Sequence, residues 1–160
     1  MKSSSKSPQM DSCDLKVLAE LQRDGRLSVT DLAERIGLST TPCWRRVRLL
    51  EESGVIDRYT AVVDARKLGI TLNVFIEVSL DLHQAEAFEQ VIEERNEVVE
   101  CYAVTGDRDY LLHVMVSDMD ACDHFLRDEL VHFPGVQRVS TRLALKPIKQ
   151  GRGVPLRALA

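Results

Sequence analysis

Aromatic side chains are scarce in this chain, with one tryptophan, three tyrosines and four phenylalanines making 5% of 160 residues. Any core must therefore be built from aliphatic residues. No apolar run approaches the roughly 20 residues that a membrane-spanning helix requires, and the opening MKSSSKSPQM lacks the apolar stretch of a secretory signal. A cytoplasmic protein with no membrane partner is the expectation. Cys13, Cys43, Cys101 and Cys122 contain no CxxC pair, so reduced thiols are expected rather than a disulfide framework. Cys122 and His124, taken with His113 and His132, form no zinc-binding spacing. A GxxxxGK[ST] phosphate loop is also missing, as is a Ser or Cys nucleophile with a suitably spaced His and acid. No enzyme activity, cofactor or metal is expected.

Charge is limited but uneven. The net charge is -4, which excludes a polycation that clings indiscriminately to nucleic acid. Residues 1–60 carry ten Lys and Arg against nine Asp and Glu, whereas the remaining hundred carry eleven against sixteen. An anionic partner is expected to meet the front third.

The chain divides by rhythm. Residues 1–10 read as a mobile arm, being rich in Ser and Lys with almost nothing to bury. Asp11 or Ser12 caps a first helix carrying Leu15, Val17, Leu18 and Leu21. Ser28-Val-Thr-Asp31 is a capping-box-like start to a short second helix that Gly37 ends. Ser39 or Thr40 caps a third helix, with Pro42 in its first turn, where a missing N–H costs nothing. Residues 11–54 thus form a three-helix domain, and the β-branched stretch of residues 55–70 reads as an extended linker strand.

Beyond it, Leu72, Val74, Ile76, Val78 and Leu80 alternate with more polar residues, the period of a strand. A helix over 85–95, strands over 98–105 and 110–116, a helix over 121–131 and a long strand over 136–148 complete a β-α-β-β-α-β order. That is a ferredoxin-like plan over residues 71–148 with both helices on one sheet face. The fold class is α+β. The tail, residues 149–160, has no evident place.

The third helix is two-faced. Cys43, Val47 and Leu50 cluster on one side, whereas Thr41, Arg45 and Arg48 point nearly opposite, flanked by Trp44 and Leu49. Glu51 and Glu52 come only at its distal end. Such polarity suits a recognition helix that enters a DNA major groove by its N-terminal half.

GRLSVTDLAERIGLSTTPCWRRVRLLEESGVIDRYTAVVD resembles the DNA-binding half of the Lrp/AsnC family of transcription regulators. VVECYAVTGDRDYLLHVMV followed by FPGVQRVSTRLAL resembles its ligand-binding half. The resemblance implies a winged helix-turn-helix domain followed by a ferredoxin-like effector-binding and dimerisation domain. It implies double-stranded DNA and a small amino acid as partners, and homodimers assembling into tetramers or octamers. By the same resemblance, Ser39, Thr40, Thr41, Trp44, Arg45 and Arg48 contact DNA, and Ser28 and Arg46 are candidates for phosphate.

Thr105-Gly-Asp-Arg-Asp-Tyr110 falls at the hairpin between the middle strands, where turn chemistry alone accounts for Gly106 and Asp107. An amino acid is a zwitterion, so its site needs acceptors for ammonium and donors for carboxylate. Asp107 or Asp109 supplies the acceptor, and Gly106 lets the backbone come close. In the resembling family this turn forms the effector site with a partner subunit, which brings in Arg108, Tyr110 and Thr141. Arg108 departs from the family pattern, and two roles stay open for it: pairing with an effector carboxylate, or obstructing the pocket. The TTPCW wording resembles members that respond to sulfur amino acids, which points to cysteine. A ligand-independent architectural DNA binder is the alternative.

Overall fold

Asp11 starts the first ordered element because its carboxylate accepts from the Cys13 and Asp14 backbone N–H groups at 2.8 and 2.9 Å, while Asp14 reaches back to the Asp11 N–H at 3.0 Å. This reciprocal cap opens α1 (Ser12–Arg23). Ser28 opens α2 (Val29–Ile36) by accepting from the Asp31 N–H, and Gly37 closes it in the left-handed conformation at φ 73°. α3 (Thr40–Glu52) follows after a short turn, the helix-turn-helix arrangement. The computed structural model describes residues 10–149 and 153–156. The chain divides into one unit of Met1–Val62 with Lys149–Ala160 and a second of Val63–Ile148. The expected arm lies outside the described residues apart from Met10, which packs on the helical core of Val17, Leu18, Leu32, Ala33, Cys43 and Leu50.

The segment expected as an extended linker strand makes no ladder. After α3 the chain bends and runs without regular structure to a single 3-10 turn, Ala65–Leu68, which Asp64 caps and Gly69 ends at φ 81°. β-branched residues favour extended backbone, but a strand needs a partner for its N–H and C=O groups, and none is present among the described residues. Tyr59 anchors the early part of this segment: its hydroxyl donates to Glu51 on α3 at 2.9 Å.

The second unit contains β1 (Leu72–Leu80), α4 (Ala85–Glu93), β2 (Val98–Ala103), β3 (Tyr110–Val116), α5 (Met119–His124) and β4 (Val136–Leu143). The sheet order is β2-β3-β1-β4, and every neighbouring pair is antiparallel. This is the split plan expected from the alternation. One face buries Val74, Ile76, Val78, Leu112 and Val114 beneath Phe88 and Ile92 of α4 and Cys122 of α5. The opposite face carries Asn73, Phe75, His113 and Met115, with Phe75 and His113 stacked at 4.7 Å.

Two boundaries differ from expectation. β4 ends at Leu143 instead of continuing to residue 148. The helix expected over 121–131 is α5, then a π-helical turn at Phe125–Glu129, then a 3-10 turn at Leu130–His132. In an unbroken α-helix, Phe125 and Leu130 would lie about 140° apart. The wider turn brings both inward, leaving them 2% and 0% exposed.

Candidate nucleic-acid interface and ligand hairpin

α3 keeps the two faces read from its sequence. Cys43 and Leu50 are buried and Val47 half-buried, whereas Thr40, Thr41, Trp44, Arg45 and Arg48 are exposed. Ser39 sits at the N-cap, but its side chain makes no capping hydrogen bond, which leaves the hydroxyl available at the helix entrance. Trp44 is 47% exposed. The Arg48 guanidinium lies 5.3 Å from the Trp44 ring centre and its Nε is 2.7 Å from Glu52, so the pair forms an exposed ridge with a cation on an aromatic face. Arg45 makes no ion pair or side-chain hydrogen bond among the described residues.

Two residues expected as phosphate contacts have other work. Arg46 is half-buried, with Nη1 2.7 Å from Asp11 and 2.6 Å from Asp14. Flanked by two carboxylates, that guanidinium is neutralised and ties α3 to the start of α1 instead of facing an anion. The Asp14 N–H and then the Arg46 guanidinium hold the Asp11 carboxyl below the usual range. In return, the two carboxylates push the Arg46 guanidinium up. Ser28 Oγ donates to Asp31 Oδ2 at 2.6 Å while accepting from the Asp31 N–H at 3.1 Å. Its hydroxyl is committed to starting α2.

The hairpin TGDRDY is split by the sheet into outward and inward groups. Gly106 takes φ 122° at the turn, a conformation that side chains disfavour. Asp107 and Arg108 line an open cleft of about 520 Å3 together with Thr105, Glu77, Ser140 and Arg142. Arg108 Nη1 donates to Ser79 Oγ at 3.1 Å, and Arg142 pairs with Glu77. The cleft is thus lined by two guanidiniums and two carboxylates, of which Arg142 and Glu77 are already paired with each other.

Asp109, Tyr110 and Thr141 do not join that lining. Asp109 Oδ2 accepts from the Leu80 N–H at 2.7 Å and its own N–H donates to Val78 at 3.0 Å, which fastens the turn to the end of β1. Tyr110 is buried, and its hydroxyl donates to Glu89 on α4 at 2.6 Å. That carboxylate and burial push the phenol up to about 12. Thr141 is exposed and sits opposite Ile76, one residue out of step with Ser140 and Arg142, so alternation turns it away from the cleft. The members that sequence reasoning missed are Glu77, Ser140 and Arg142. Their signal was the same alternation, since Glu77 pairs with Ser140 and Phe75 with Arg142 on the open face.

Burial raises the thiol pKa of Cys43, Cys101 and Cys122, which disfavours the thiolate that nucleophilic chemistry needs. All four cysteines are free. Among the described residues no group of three His, Cys, Asp or Glu could hold a metal ion, and no helix is long and apolar enough to cross a membrane.

A helix-turn-helix unit with an exposed cationic helix, joined to a separate α+β unit with a polar cleft, defines a DNA-binding regulator that carries a sensor domain. A family model described as winged helix-turn-helix DNA-binding matches residues 10–57, and one described as the Lrp/AsnC ligand binding domain matches residues 73–154. The leucine-responsive regulatory protein of Escherichia coli is 41% identical over 144 residues, covering 88% of each chain. Among solved structures, a transcriptional regulator from Neisseria meningitidis in complex with L-Met superposes with a TM-score of 0.92 at 37% identity, covering 94% of this chain and 99% of that one. An AsnC family regulator from Agrobacterium tumefaciens gives 0.88 at 40% identity, covering 94% and 100%. The chain belongs to the Lrp/AsnC family, whose members are transcription regulators and not enzymes.

Proposed function

We propose that this regulator grips duplex DNA with the exposed face of α3 and that a small amino acid alters its binding by changing how copies assemble. The observation that carries the DNA half is the continuous row of Thr40, Thr41, Trp44, Arg45 and Arg48 on one side of a helix whose other side is packed. Arg45 is free to meet phosphate or a guanine edge, and the Arg48–Trp44 ridge lies along the same face. A homodimer presents two such helices to a pseudo-palindromic site. The open sheet face, with Phe75 stacked on His113, is the surface that joins two copies, which then assemble into tetramers or octamers.

The effector half rests on the hairpin cleft. Asp107 accepts from the ammonium and Arg108 donates to the carboxylate, the first of the two roles open to that arginine. The leucine-responsive relatives and the L-Met complex of the Neisseria regulator support an amino acid as the ligand class. We take a sulfur amino acid, cysteine first, as the effector, and the cytoplasm as the site of action. A ligand shifts assembly only by binding one state better than another. Sedimentation and operator binding, each measured with and without saturating cysteine or methionine, test this directly: both change together in our reading, and neither changes if the protein is a ligand-blind architectural binder.

A further inference from the structure

The end of the chain groups with the DNA-binding unit, although it follows the ligand-binding unit in sequence. Leu156 is half-buried against the helical core of Val17, Leu18, Leu32 and Cys43. Val154 and Pro155 frame an open cleft of about 550 Å3 with Ala19, Gln22 and Arg23 on α1. Two features of its backbone shape the segment. The Leu156 N–H donates to the Val154 carbonyl at 2.8 Å, an i→i+2 turn centred on Pro155, whose ring presets the required φ. Gly153 has φ 149°, a conformation that side chains disfavour, and it passes the flexible end of the Gln22 side chain on α1.

We propose that Gly153–Leu156 is a reversible clasp on α1 of its own chain. Docked, it covers one edge of the helical core beside α1. Released, it uncovers that edge and leaves α1 less protected from solvent. One half-buried leucine working against the ordering of four residues leaves the docked state only slightly favoured. The clasp therefore opens more readily than the core unfolds.

Hydrogen exchange of the full chain, followed by mass spectrometry, tests the clasp with Leu156→Asp and the size-conserving Leu156→Met. The expected result is that Leu156→Asp speeds exchange of α1 amides by about threefold, leaves β1 to β4 unchanged, and that Leu156→Met matches the parent protein. Identical α1 exchange in the parent and Leu156→Asp overturns the proposal. So does α1 protection that fades when the parent protein is diluted, because the docked segment would then come from another copy.

Discussion

Arg46 Nη1 lies 2.6 Å from Asp14 Oδ1 and 2.7 Å from Asp11 Oδ2, so one cation on α3 joins both carboxylates of the α1 capping box, 32 residues from Asp14 in sequence. Arg45, the adjacent residue, is exposed and free of such partners among the described residues. Neighbouring arginines on one helix therefore do different jobs, and the difference is set by a rotation of about 100° per residue.

Arg46→Ala is expected to lower the thermal midpoint of the DNA-binding unit while leaving the salt dependence of DNA binding unchanged. Differential scanning calorimetry and a salt titration read the two effects separately. The same ion-pair cluster is pH-sensitive in a definite sense. Asp11 has a lowered carboxyl pKa in the folded state, so its contribution is present above the ordinary carboxylate value and fades as pH falls through the folded one. Arg46→Ala should narrow the stability gap between neutral and acidic solution.

Tyr110→Phe removes the hydroxyl that Glu89 accepts from at 2.6 Å and is expected to cost about 1 kcal/mol in denaturant unfolding. The phenol is raised to about 12 in the folded protein. Its stabilising contribution is therefore whole below the ordinary tyrosine value and lost as pH rises through about 12. An ultraviolet absorbance titration should show two late-titrating tyrosines, Tyr59 and Tyr110, and the variant should lose one of them.

Phe75→Glu places a charge on the open sheet face beside His113, 4.7 Å from the native ring. Because Phe75 contributes nothing to the buried core of its own unit, the monomer should remain folded by circular dichroism. Sedimentation should shift toward smaller species. An unchanged sedimentation profile would move the assembly surface elsewhere.

A thermal-shift panel of the common amino acids should find at least one that raises the melting temperature, since a ligand of the folded state stabilises it by mass action. Asp107→Asn and Arg108→Ala should each abolish that shift. Asp109→Asn should instead lower the midpoint without ligand, because its carboxylate holds the end of β1.

Much of this architecture is legible along the chain because its signals are local. Ser28 with Asp31, Gly37, and the alternation of Val74, Ile76 and Val78 each report on a few neighbouring residues. Arg46 escapes such reading because its partners, Asp14 and Asp11, are far away along the chain, and helical phase shows only that it borders the packed side. The turn at Phe125–Glu129 escapes because the core, not local propensity, selects the wider winding. The hairpin's membership was half legible: TGDRDY marks the turn, but which of its carboxylates faces the cleft depends on the Leu80 N–H that captures Asp109.

The most direct test of the central claim, that the exposed cationic face of α3 grips duplex DNA, is a fluorescence-anisotropy salt titration on an operator duplex with the parent protein and an Arg45→Ala/Arg48→Ala variant. We expect affinity to fall at least about tenfold and the slope of log K against log salt to become shallower by about one for each phosphate that the variant no longer neutralises. Equal affinity and equal slope in the two proteins would contradict it.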